Sequence, residues 1–133
     1  MSRKSAREAA FKTIFEIPFH CTEEPIDVIN FSLDYLKSEL NKPSDAEYFK
    51  EVTIKCYDNI EIIDKKIADN LKEWTLDRIS KINLSILRLA VCEILFMEEI
   101  PYQVSINEAV EMAKKFSDDD SPAFINGVLA SAI

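Results

Sequence analysis

The chain has 133 residues, 47% apolar and 30% charged, with a formal net charge of −8 and a single glycine. That length and mix suit one folded domain and exclude disorder, and the scarcity of glycine argues against turn-rich sheets. The acidic balance excludes a protein that coats nucleic acid without specificity.

The charge is uneven. Residues 1–20 carry Arg3, Lys4, Arg7 and Lys12 against Glu8 and Glu16, a balance of +2, while the remainder is acidic. The three cysteines, Cys21, Cys56 and Cys92, are far apart and show no CxxC pairing. They fit neither a disulfide framework nor a zinc cradle, and read as small buried apolar residues in a reducing compartment. No apolar run is long enough to cross a bilayer, and the charged N-terminus lacks the apolar stretch of a signal peptide. The cytoplasm is expected, with no membrane contact.

Helices are predicted at roughly 3–17, 26–41, 45–60, 63–73, 83–98, 105–116 and 121–132, with a short turn near 76–81. In the first, Ala6, Ala10, Thr13, Ile14 and Ile17 gather on one face that can pack on a bundle. Turned away from it, Lys4, Arg7, Phe11 and Phe15 fall within an arc of about 80°, with Arg3 beside them, at 100° per residue. Cations interleaved with rings suit single-stranded nucleic acid, whose phosphates meet the cations and whose unstacked bases meet the rings. Spacing alone leaves a second reading open, with Phe11 and Phe15 in the core and the cations solvated. His20 follows beside Cys21, with no acid or nucleophile paired to it in sequence, and reads as a surface or loop residue.

Ser5-x-x-Glu8, Ser44-x-x-Glu47 and Ser105-x-x-Glu108 match the capping box, and Ser121-Pro122 reads as an N-cap followed by proline. The stretch from Ile82 to Met97 is apolar almost all round, which places its helix at the centre of a bundle. Arg88 and Glu93 interrupt it, as a structural ion pair or as polar tips reaching the rim. The next helix is amphipathic: Ile106, Ala109, Val110, Ala113 and Phe116 share a face, with Glu108, Glu111, Lys114 and Lys115 outward. Asp118-Asp119-Asp120 lacks the alternating ligands and glycine of an EF-hand loop and reads as a solvated helix entry. Gly127 lies inside the last helix at a cost of about 1 kcal/mol relative to alanine. Either a neighbouring helix packs closely there, which is the expectation, or a ligand backbone approaches. Asn126 beside it could hydrogen-bond a base or a phosphate.

The fold class is all-α, a compact bundle of about seven helices. No P-loop, dinucleotide turn or H-E-x-x-H zinc motif is present, so no enzyme activity, cofactor or metal is expected.

Several stretches in order resemble the NusB family. They are Arg3-Lys4-x-Ala6-Arg7-Glu8-x-Ala10, Leu87-Arg88-Leu89-Ala90-x-x-Glu93-Ile94-Leu95, Pro101-x-x-Val104-x-Ile106-Asn107-Glu108-Ala109-Val110-Glu111-x-Ala113-Lys114-x-Phe116, and Phe124-Ile125-Asn126-Gly127-Val128-Leu129. The resemblance is densest over 83–129 and implies one NusB-like RNA-binding domain over 1–133, built as two packed helical subdomains. It further implies a transcription antitermination factor that binds boxA-type single-stranded RNA together with NusE, a ribosomal protein that doubles as a transcription factor. That complex would join an elongating RNA polymerase and promote transcription of ribosomal RNA operons. Carried over residue by residue, Arg3, Lys4 and Arg7 would contact phosphates. Phe15, Asp120, Phe124 and Asn126 would lie on the RNA-facing surface, and Asp77 to Asn83 on the face that meets NusE. Phe15 stands where the family often has tyrosine, and Asn83 where it often has an acid.

Two other functions share this fold. One is a NusB-like RNA-binding module of an rRNA-modifying methyltransferase, against which the chain supplies no cofactor-binding α/β domain after residue 133. The other is a helical adaptor that binds protein alone. The oligomeric state is open between monomer and homodimer.

Overall fold

Ser2 opens the first helix: its hydroxyl accepts the backbone N–H of Ser5 at 3.2 Å, satisfying one of the donors a helix start leaves free. A computed structural model describes residues 2–36, 39, 42–72 and 75–133, and every regular element among them is helical. The helices are α1 (Arg3–Glu16), α2 (Pro25–Leu36), α3 (Pro43–Asp58), α4 (Ile60–Asp69), α5 (Lys81–Phe96), α6 (Tyr102–Phe116) and α7 (Ser121–Ser131). Short 3₁₀ turns at Ile17–Phe19 and Leu76–Arg78 continue α1 and precede α5. Residues 37, 38, 40 and 41 of the helix expected over 26–41, and residue 73 of the one expected over 63–73, lie outside the described residues.

The three capping boxes are not used as such. Ser5 is already inside α1, Ser44 is the second residue of α3, and Ser105 sits a full turn inside α6. Proline explains two of these shifts. Pro43 begins α3 and Pro101 immediately precedes α6, and a residue with fixed φ and no N–H starts a helix at no cost in hydrogen bonds. Besides Ser2, Ser80 caps with its side chain: its Oγ accepts from Asn83 N at 3.1 Å at the head of α5.

Helix α5 is the axis of the molecule, packed by α1, α3, α4, α6 and α7. Its Ile86, Leu87, Leu89, Ala90, Val91 and Cys92 are buried, as the apolar run predicts. Helix α2 packs mainly on α3, and α7 mainly on α6, so two helical groups share α5 between them. A single buried cluster runs through both, from Ile14 and Phe49 to Ile63, Ile67, Met112, Ile125 and Leu129. Each such side chain contributes about 1.5–3 kcal/mol relative to an exposed position.

Cys56 and Cys92 are in this core, but Cys21 is exposed in the loop after α1, contrary to its reading as a buried residue. Its chain neighbours, His20 and Thr22, are polar, as suits a surface loop. Burial pushes the Cys56 thiol up to about 12.

Candidate nucleic-acid interface

The basic stripe expected on α1 divides into a buried part and a surface part. Arg7 is 5% exposed, and its guanidinium points inward. Its Nε and Nη2 donate to Glu93 of α5 at 2.8 and 3.3 Å. Glu93, 1% exposed, also accepts from Ser105 of α6 at 2.8 Å and from the hydroxyl of Tyr48 on α3. Burial opposes the guanidinium charge, but the hydrogen bonds and charge of Glu93 outweigh it and raise the pKa of Arg7. Burial first, and the Glu93 carboxylate second, push the Tyr48 phenol well above its ordinary range, so it stays a donor. The expectation that Arg7 meets phosphate is therefore corrected. A buried carboxylate must be paired, and Arg7 is its partner.

Arg88 and Glu93 do not pair with each other. Arg88 instead forms a two-pronged pair with Asp64 of α4 at 2.8 and 2.9 Å. The three arginines of this framework each tie α1 or α5 to a neighbour, because the planar fork matches a carboxylate. The third is Arg3, whose Nε donates to Asp45 at 3.0 Å and whose Nη2 donates to the Ser44 carbonyl at 3.2 Å. The Arg3 guanidinium also lies 4.6 Å from the Tyr48 ring centroid. The second carboxylate oxygen of Asp45 is buried without a partner among the described residues, which makes Arg3 the more important to it. Arg3 is thus engaged with α3 while remaining partly exposed.

Lys4 is exposed. Phe11 belongs to the core, its ring 5.3 Å from that of Phe116 on α6. Phe15, half-buried one turn later, lies 5.3 Å from Phe19 in the 3₁₀ turn. Both readings of the stripe are thus partly realised: one ring is core and the other reaches the surface. Lysines gather around these rings. Lys12 and Lys115 each hold an ammonium 5.2 Å from the Phe116 centroid, and Lys81 stands 5.8 Å over Phe19. The sequence reading gave no role to Phe19, placed Lys81 only within the segment expected to meet NusE, and read Lys115 only as outward-facing on its helix. Lys81 and Lys115 are separated from α1 by 60 residues or more of chain, so no local pattern could join them to it.

At the other end, Asp120, Phe124 and Asn83 line one cleft of about 440 Å³ with Arg78, Ile79, Ser80, Asp118 and Ser121. Asn83 is buried and committed within the chain: its Nδ2 donates to Ser121 Oγ at 2.9 Å, and Ser117 Oγ donates to its Oδ1 at 2.8 Å. Asp77 is exposed and bonded to the Thr75 hydroxyl. Asn126 is exposed on α7. Among the described residues Gly127 has no atom within 4 Å of where a side-chain methyl would stand, so the expected close packing by a neighbouring helix is not found there. It faces a second cleft of about 330 Å³, with Asn70, Leu71, Lys72, Ala123, Phe124 and Val128. Phe124 stands between the two clefts. Helices α1 and α7 both pack on α5, and Phe15 approaches the α7 end through Phe19 and Lys81, whose neighbour Ser80 lines the first cleft.

A third groove, about 500 Å³ between α1 and α2, is lined by Lys12, Phe31 and Tyr35 but also by Glu8, Glu16 and Glu39. Three carboxylates against one ammonium do not suit a phosphate seated within the groove, although the Lys12 ammonium also reaches to 5.2 Å from the Phe116 ring centroid. Among the described residues no cluster of His, Cys, Asp or Glu is placed to hold a metal ion, and no helix is long and apolar enough to cross a membrane.

Fold and surface together define a small all-helical binding protein whose candidate site is an open face of rings and ammonium groups. The chain belongs to the NusB family, whose sequence profile matches residues 4–133. It is 44% identical over 134 residues to the transcription antitermination protein NusB of Clostridium novyi, covering 100% of this chain and 98% of that one. Against the NusB of Bacillus mycoides identity is 44% over 131 residues, covering 98% and 96%. Among solved structures, T. maritima NusB superposes with a TM-score of 0.88 at 32% identity, covering 99% of this chain and 90% of that one. A complex of the antitermination factors NusB and NusE with double-stranded RNA contains a chain that superposes at 0.85, with 26% identity over 98% and 94% of the two chains.

Proposed function

We propose that this chain is a non-enzymatic transcription antitermination factor that binds boxA-type single-stranded RNA together with NusE. In this reading it acts in the cytoplasm with an elongating RNA polymerase and favours transcription of ribosomal RNA operons. The observation that carries the reading is the outer face of α1. There Lys4, Lys12 and the half-buried Phe15 are presented on a chain whose net charge is otherwise acidic. Family membership supports it, since relatives matched along their full length bear the antitermination name.

In this reading Lys4 and the exposed part of Arg3 meet phosphates, Phe15 and Phe124 meet bases, and Asp120 and Asn126 supply polar contacts. Asp77 contributes directly to the NusE face. Asn83 acts there by holding Ser117 and Ser121, and with them the start of α7, in place.

Gel-shift titration of a boxA-type oligonucleotide, with and without NusE and across a salt series, tests the reading. Binding should tighten with NusE. Log affinity should fall against log salt with a slope at least as steep as about −1.4, at about 0.7 per neutralised phosphate for the two contacts of Lys4 and Arg3. A duplex competitor should displace the single strand poorly. Equal or better competition by duplex would replace single-strand recognition with recognition of helical shape. Absence of any RNA shift, with NusE present, would leave a protein-only adaptor.

A further inference from the structure

The rings of Phe116, Phe11, Phe15 and Phe19 make a ladder along α1. Phe116 lies 5.3 Å from Phe11, Phe15 lies 5.3 Å from Phe19, and Phe11 and Phe15 are one helical turn apart on α1. Ammonium groups stand at both ends: Lys12 and Lys115 over Phe116, and Lys81 over Phe19. We propose that Lys12, Lys115 and Lys81 are the principal phosphate contacts of the RNA track, and that Phe19 offers a ring on which an unpaired base stacks. This rests on the RNA-binding reading above and gives it residues of its own.

Four observations support the assignment. The arginines that composition would nominate are spoken for: Arg7 is buried on Glu93, and Arg3 is bonded to Asp45 and Ser44. The lysines, by contrast, are exposed, and an ammonium on a flexible stem is a mobile point charge that swings to a phosphate without losing a fixed fork geometry. They also come from α1, α5 and α6, so the packed bundle sets their spacing, and their ammonium groups lie 5.2, 5.8 and 5.2 Å from the Phe116, Phe19 and Phe116 centroids for Lys12, Lys81 and Lys115. Phe19 is 57% exposed even with Lys81 and Phe15 beside its ring, far more than a ring needs for packing alone, so ring surface remains for a base.

One carboxylate already competes for this site. Lys115 Nζ donates to both oxygens of Glu8, at 2.9 and 3.1 Å. A phosphate arriving at Lys115 must displace Glu8 and tolerate its charge. Glu8 is therefore an internal competitor that weakens the track, and its removal should tighten binding, an outcome that damage to the fold does not mimic.

The test uses the full chain, with and without NusE, and a fluorescein-labelled boxA-type RNA followed by anisotropy over a salt series. The triple variant K12A/K81A/K115A should lower the salt slope by about 2 and weaken binding by up to about a hundredfold at about 0.1 M salt. Glu8→Gln should tighten binding about threefold, the scale of one exposed ion pair released. If wild type binds and the triple variant keeps the same affinity and slope, the assignment is overturned. Unchanged or weaker binding by Glu8→Gln overturns the role of Lys115. Failure of wild type to bind the RNA, even with NusE, instead removes the functional reading itself.

Discussion

Replacing Arg7 by methionine separates a structural arginine from an RNA-binding one. Methionine keeps the length of the aliphatic stem and deletes the guanidinium. Glu93 would then remain at 1% exposure with its charge unbalanced, retaining only the hydroxyls of Tyr48 and Ser105. Orphaning a buried charge costs about 3–5 kcal/mol, and two surviving donors place this case near the lower figure. Against a total stability of about 5–15 kcal/mol that is a large fraction. Urea denaturation followed by circular dichroism should show the midpoint falling by between about 1 and 3 M with an unchanged slope. Adding Glu93→Gln to the methionine variant should recover part of the loss, because a neutral amide needs no counter-charge. A loss below about 1 kcal/mol, accompanied by loss of RNA affinity at full stability, would refute the reasoning and return Arg7 to the surface.

Three further outcomes follow from the same geometry. His20 is hydrogen-bonded to Glu16 at 2.9 Å and to Glu23 at 3.1 Å, and these carboxylates raise its pKa above 6.5. Its contribution to stability is complete below the unfolded value and disappears as pH rises through the raised folded value. Proton NMR of the ring should titrate above 6.5 in wild type and move down in Glu16→Gln, and a wild-type midpoint at or below 6.5 contradicts the contacts. A thiol reagent should label Cys21 alone in the native protein, since Cys56 and Cys92 are buried with thiols raised by burial; simultaneous labelling of all three would count against the packing of α3 on α5. Gly127→Ala should raise stability by about 1 kcal/mol in a thermal melt, because the added methyl meets nothing within 4 Å among the described residues, whereas a loss would mean that the position is crowded.

The helices were readable because their apolar spacing is strong, and α5 most of all: a segment apolar on every side has nowhere to go but the centre. Starts were less readable. Ser44 and Ser105 carry the capping pattern, yet proline upstream moves each start towards the N-terminus, and local motifs do not weigh one start against another. The site was half readable. Lys4 and Phe15 lie on the exposed side of α1 as helical phase demands, but phase cannot tell that Arg7, at the edge of the same arc, faces a carboxylate 86 residues later. Charge inside a core is decided by a distant partner. Gly127 was misjudged for a related reason, since a helical glycine signals that space is wanted there without saying on whose behalf.

The Glu93 hub also bears on how the chain is made. Arg7 leaves the ribosome long before Glu93 exists, and at about 5–20 residues per second the wait for 86 residues is roughly 4–17 s. During that interval the first helix can lean on α2 and α3 but cannot lock, because its guanidinium has no counterpart. Closure comes only when α5, and then Ser105 of α6, have been synthesised. The amino-terminal surface is therefore set by the last half of the polypeptide, and a nascent chain arrested before residue 93 would display its cations and rings in an arrangement unlike the finished one.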